Sequence, residues 1–95
     1  MELRLNCENC GKALTNGNDM AMICSFDCTF CKDCVDTILF NVCPNCGGGF
    51  EKRPTRPKYL LGKYPPSDKK ILNPVILEEF QEKLSKYKSI HPSKR

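Results

Sequence analysis

Eight cysteines, all between Cys7 and Cys46 of a 95-residue chain, constrain this sequence more than any other feature. They run Cys7-x2-Cys10, thirteen residues, Cys24-x3-Cys28-x2-Cys31-x2-Cys34, eight residues, then Cys43-Pro44-Asn45-Cys46. Three of the four successive pairs have the C-x2-C spacing. A tight turn of that length lets two thiolates reach one ion, because tetrahedral zinc needs sulfurs about 2.3 Å from the metal. Gly11 and Gly47 directly follow the second Cys of the outer pairs, where a residue free to take positive φ lets the turn close with its N–H groups aimed at sulfur. Eight thiolates fill two four-coordinate sites and leave no open position for water or substrate. The expected cofactors are therefore two structural Zn²⁺ ions, and no catalytic residue stands out elsewhere.

A disulfide framework would use the same even number of thiols, but it belongs to secreted chains. Residues 1–6 lack the basic and apolar regions of a signal peptide, and no stretch reaches the roughly 18 apolar residues of a membrane span. The expectation is a soluble, cytoplasmic chain with reduced thiols. A thioredoxin-like redox pair needs a βαβ context and would leave six thiols unexplained.

The segment between Cys34 and Cys43 decides which thiols share an ion. Val35, Ile38, Leu39 and Val42 fall at i, i+3, i+4 and i+7, one face of a short helix. Eight helical residues rise about 12 Å, whereas sulfurs on one zinc lie roughly 4 Å apart. Cys34 and Cys43 then belong to different ions, which favours an interleaved arrangement. Cys7, Cys10, Cys31 and Cys34 take the first ion, and Cys24, Cys28, Cys43 and Cys46 the second. A sequential arrangement, first four and last four, is the alternative.

The ligand gaps, the Phe30-Cys31 step and the Cys43-Pro44-Asn45-Cys46 ending resemble a RING finger over residues 7–46, with Cys28 where most RINGs carry His. The resemblance implies a small, metal-dominated α+β fold of treble-clef type: a cross-brace with two zinc sites, a short β-hairpin and one short helix. More narrowly, the whole chain resembles a family of short bacterial proteins catalogued as domain of unknown function 1272. That likeness rests on Met22-Ile23-Cys24-Ser25-Phe26, Cys31-Lys32-Asp33-Cys34, Cys43-Pro44-Asn45-Cys46-Gly47-Gly48, Arg53-Pro54 and Arg56-Pro57. It carries no activity with it. RING fingers commonly serve ubiquitin ligases by docking a conjugating enzyme in a groove between the zinc loops and the helix. Here Asn9 replaces an apolar residue of that groove, Ile38 stands where Trp is frequent, and Gly47 replaces a basic residue. Only Ile38 and Pro44 suit such docking, so the ligase reading is disfavoured.

Beyond the cysteines the composition changes. The first fifty residues carry six acids against three bases, a formal −3, and the remaining forty-five carry twelve bases against five acids, a formal +7. The overall +4 suggests an acidic partner such as nucleic acid. Zinc changes that sum: eight thiolates remove eight charges and two divalent ions restore four, so the loaded chain is formally neutral and polarised rather than basic. Residues 1–50 are expected as the two-zinc domain, 51–72 as a basic, Pro-rich linker, 73–90 as an amphipathic helix and 91–95 as a basic tail. Asn73 is the expected N-cap with Pro74 at the first helical position, and Leu77, Phe80, Leu84 and Tyr87 form the apolar stripe. Packing of that stripe on the head is the preferred reading, and pairing with a second chain the alternative, giving a monomer or weak dimer.

The functional expectation is a protein-interaction module or adaptor, with Ile38, Pro44, Leu77, Phe80 and Leu84 as candidate partner contacts. The second class is nucleic-acid binding by the tail, with Arg53, Arg56 and Lys58 as candidate anion contacts and Tyr59 or Tyr64 available for stacking.

Overall fold

The two runs flanking the Cys24–Cys28 loop are short and rich in strand-forming residues, and they pair across it. The computed structural model describes residues 1–95 and gives antiparallel strands β1 (Ala21–Ile23) and β2 (Thr29–Cys31), with Met22 opposite Phe30. Asp27 closes the loop at φ 64, its N–H donating to the Cys24 carbonyl at 3.2 Å. Asp is one of the few residues that tolerate this left-handed conformation. The hairpin therefore carries Cys24 and Cys28 at its tip and Cys31 at its end.

A third strand lies beyond the expected domain boundary. β3 (Glu51–Lys52) pairs antiparallel with β1, giving the order β2-β1-β3, and the next N–H, that of Arg53, donates to the Ala21 carbonyl at 2.9 Å. The sheet thus draws in the residues that looked, from composition, like the start of a linker. Residues further along are tied to the N-terminus. Asn16 and Arg56 exchange two hydrogen bonds at 2.8 and 2.9 Å, and the Ser67 N–H donates to the Leu3 carbonyl at 2.8 Å.

Cys31 leads directly into α1 (Lys32–Cys34), which continues as a π-helical turn over Val35–Leu39. The turn ends where Phe40 and Asn41 adopt positive φ and both N–H groups converge on the Val35 carbonyl. Val35, Leu39 and Val42 are buried and Ile38 is half-buried, so the apolar face expected from the spacing is the one that packs inward. Phe30 and Phe50 meet edge to face at 5.5 Å in the same core. Phe26 is 71% exposed, because the loop between Cys24 and Cys28 turns it away from that core.

The C-terminal helix, α2 (Leu77–Tyr87), begins three residues later than the Asn73 cap implies. The Asn73 N–H donates to the Glu8 carbonyl at 2.7 Å and the Val75 N–H to Asn9 Oδ1 at 2.8 Å. Residues 73–76 therefore run extended against the first cysteine turn, and tertiary hydrogen bonds override the local capping signal. Phe80 and Leu84 join the core and Tyr87 packs beside it, whereas Leu77 is exposed. The radius of gyration is 13.5 Å, as for about 100 residues folded as one unit. No helix is long and apolar enough to cross a membrane.

Gly47 is where α2 meets the last cysteine turn. It has φ 77, and a Cβ placed there would lie 2.8 Å from Tyr87 Cε2. Gly47→Ala is expected to cost about 1–3 kcal/mol in urea unfolding of the metal-loaded chain. Combining it with Tyr87→Ala is expected to give less than the sum of the two single changes, because they share that contact.

Candidate metal centre

The sulfurs of Cys7, Cys10, Cys31 and Cys34 all lie within 4.8 Å of one another. The Cys7–Cys34 and Cys10–Cys31 separations are each 3.8 Å. A tetrahedron with bonds of about 2.3 Å has edges of about 3.8 Å, whereas a disulfide bond is about 2.05 Å. The donor set fits four thiolates around one ion. Cys24, Cys28 and Cys43 form a second group by the same criterion. Cys46, the fourth donor expected there, sits on the same turn as Cys43 but outside that spacing, with its sulfur accepting from the Gly48 N–H at 3.4 Å. The first group passes over Cys24 and Cys28, and the second passes over Cys31 and Cys34, so the groups interleave along the chain.

The local folding explains the grouping. Gly11 at φ 80 and Gly47 at φ 77 close the outer turns, with the Gly11 and Gly47 N–H groups donating to the Cys7 and Cys43 carbonyls at 3.0 and 2.8 Å. The hairpin brings its tip to the second group and its end to the first. The helical segment from Lys32 to Leu39 then separates Cys34 from Cys43, as its length requires.

Each outer turn also supplies a carboxamide that sequence reasoning did not assign to the metal. Asn9 Nδ2 donates to Cys34 Sγ at 3.3 Å, and Asn45 Nδ2 donates to Cys28 Sγ at 3.3 Å. Each Asn immediately precedes the second Cys of its turn and reaches a sulfur of a different pair. The available signal was the Cys-x-Asn-Cys pattern that both outer turns share, at residues 7–10 and 43–46. Main-chain donors add the Phe26 N–H to Cys24 Sγ at 3.3 Å and the Cys10 N–H to Cys7 Sγ at 3.5 Å. Such donors favour thiolate and orient it for an ion.

Burial works the other way. It pushes the Cys28, Cys31, Cys34 and Cys43 thiols above their ordinary value, so their charged forms need a compensating cation. Burial also pushes Cys10 up, but the backbone of Lys12 and the neighbouring sulfurs outweigh it and leave this exposed thiol lowered. Beside the first group, the buried Glu8 carboxylate accepts from the Thr29 N–H and pairs with Arg4 at 2.8 Å. Burial pulls the Arg4 guanidinium down, but hydrogen bonds to Glu8 and Glu2 outweigh it and raise it.

The candidate partner and anion contacts divide between core and surface. Phe80 and Leu84, expected as partner contacts, are buried against this chain's own head, since a short amphipathic helix gains most by covering its stripe locally. Leu77 is exposed, Ile38 packs on the edge of the core, and Pro44 lines a cleft of about 240 Å³ with Glu8, Val75, Phe80 and Lys83. Lys83 Nζ donates to the Pro44 carbonyl at 3.0 Å. Arg53, expected as an anion contact, is only 3% exposed, and its guanidinium donates to the carbonyls of Arg4, Leu14 and Thr15. Arg56 is held by the carbonyls of Met1 and Tyr64, and Lys58 is exposed.

Arg53 thus fastens two segments, at Arg4 and at Leu14–Thr15, rather than binding an anion, and burial lowers its pKa. Arg53→Met takes a donor from three carbonyls and leaves those of Arg4 and Leu14 with none, since Thr15 keeps the Asn18 N–H. It is expected to cost on the order of 3 kcal/mol in chemical denaturation, with no change in affinity for polyanions.

A family model described as "Protein of unknown function (DUF1272)" matches residues 1–56, a span that holds all eight cysteines and all three strands. "Uncharacterized protein R02474" of Rhizobium meliloti (strain 1021) is 49% identical over 74 residues, covering 78% of this chain and 88% of the relative. No solved structure matches the chain. With three fifths of its length under the family model and this relative at half identity, the chain belongs to the DUF1272 family.

Proposed function

We propose that this protein is a structural two-zinc, RING-like cross-brace module that serves protein interaction in the cytoplasm, with no catalytic step of its own. The observation that carries the reading is the interleaving of the two sulfur groups, which couples two ions through one hairpin and one short helix. All-thiolate, four-fold donor sets favour zinc among the common ions, and Cys46 completes the second set by turning its sulfur inward. A ubiquitin-ligase role is the less supported reading. This chain's own C-terminal segment lies against Asn9 and Pro44, the positions a conjugating enzyme would need. That segment also presents apolar surface to a partner, with Leu72, Ile76 and Leu77 exposed.

Tyr59, 83% exposed, and Tyr64, 52% exposed under Lys63 at 5.5 Å, favour a second reading, stacking on single-stranded nucleic acid. Binding that weakens steeply with salt and is lost in Tyr59→Ala would support it. Absence of binding at low salt would remove it.

The primary reading makes three expectations. Native mass spectrometry is expected to find two zinc ions per chain, and a stoichiometry of one or none would contradict it. Chelation is expected to erase the dispersed amide signals of residues 7–46, because structural zinc contributes on the order of 10–16 kcal/mol in small fingers. Leu77→Asp is expected to keep both ions and the fold while abolishing capture of the protein's partners from its host.

A further inference from the structure

Asn9 faces two ways. Its Nδ2 donates to Cys34 Sγ at 3.3 Å, and its Oδ1 accepts from the Val75 N–H at 2.8 Å. The second bond fixes the first: a backbone N–H can only donate, so Oδ1 must point toward Val75 and the amino group toward sulfur. Its neighbours hold the same stretch of chain. Asn6 Nδ2 donates to the Ile71 carbonyl at 2.8 Å and to the Cys7 carbonyl at 3.0 Å, and the Glu8 carbonyl accepts from Asn73 at 2.7 Å. From Val75 the chain passes straight into α2, whose Phe80 and Leu84 enter the core.

An N–H bond to an ionised sulfur is stronger than one to a neutral thiol. A metal-bound sulfur is such a thiolate, so the bond from Asn9 Nδ2 to Cys34 Sγ, a member of the first group, is strongest with an ion bound there. We propose that Asn9 is a positioning residue that couples metal binding at the first sulfur group to docking of residues 71–87 on the head. An ion at the first group would hold the Cys34 sulfur in place, the Asn9 amide that donates to it is fixed with it, and the fixed amide presents Oδ1 to Val75. The docked segment holds Asn9 in the orientation the thiolate needs, and the two effects are equal by linkage. The second group lacks this bridge: the Asn45 side chain reaches Cys28, but α2 is held there by Lys83 on main-chain carbonyls and by Tyr87 against Gly47.

The inference rests on the sites being metal-loaded, and its test separates the two claims. In the full chain, Asn9→Asp keeps an acceptor for Val75 but removes the donor to Cys34, whereas Val75→Pro removes the Val75 donor and leaves Asn9 intact. With cobalt as the probe ion, Asn9→Asp is expected to shift the sulfur-to-cobalt charge-transfer band and weaken one of the two stepwise affinities about 10–100-fold. Val75→Pro is expected to weaken the same step about 2–10-fold, and to lower hydrogen-exchange protection across residues 80–87. Wild-type affinity for both ions in Val75→Pro would overturn the coupling while leaving the two-metal reading intact. An unshifted band with both affinities unchanged in Asn9→Asp would do the same. A wild-type chain that binds no cobalt would overturn both claims.

Discussion

The sulfur of Cys7 lies 3.8 Å from that of Cys34, and between them the chain leaves for a hairpin whose tip serves the other sulfur group. This convergence of thiols is the constraint around which the remaining structure is arranged. Six of the fifteen residues in the core cluster are cysteines, so much of the interior is sulfur rather than hydrocarbon. The strands have two or three residues each and the central helix is a single α turn followed by a π turn. Such elements are too short to persist alone. β1, β2 and the helix each contain or adjoin a cysteine, and β3 is held by pairing with β1.

The C-terminal half completes the same body rather than hanging from it. Basic and Pro-rich residues looked like a solvated linker, yet Lys52 pairs into the sheet, Arg53 is buried among carbonyls and Arg56 clasps Met1 and Tyr64. Residues 71–75 lie on the first cysteine turn, and Lys83, Tyr87 and Arg95 lie on the last, where Arg95 donates to the carbonyls of Asn41 and Gly47. One segment therefore touches both sulfur turns. The +7 half bends back over the −3 half, which two thiolate-bound ions would make more negative. One ion pair, Lys52 with Asp19 at 3.0 Å, joins the two halves, and Arg53, Arg56, Lys83 and Arg95 donate instead to main-chain carbonyls.

What was legible in the sequence was whatever depended on local spacing. The Cys gaps and the helix between Cys34 and Cys43 imply which thiols meet, and the stripe of Val35, Leu39 and Val42 implies the buried face. Phe80 and Leu84 are readable as a face needing cover, and the head that was the preferred cover is where they pack. Illegible were the effects that arise only when distant segments meet. Arg53 resembles any surface arginine until the carbonyls of Arg4, Leu14 and Thr15 converge on it. Asn73 has every local attribute of an N-cap, and loses that role because Glu8 captures its N–H. Asn9 counts against one kind of docking groove when read alone. Beside Cys34 and Val75 it becomes a bridge.

The interleaving of the two sulfur groups is open to direct observation by cadmium-113 NMR of the cadmium-substituted protein, with each ion correlated through its bonds to cysteine β-protons. The expected spectrum has two cadmium resonances, one correlated to Cys7, Cys10, Cys31 and Cys34, the other to Cys24, Cys28, Cys43 and Cys46. A single resonance, or one correlated to Cys7, Cys10, Cys24 and Cys28 together, would contradict the cross-brace.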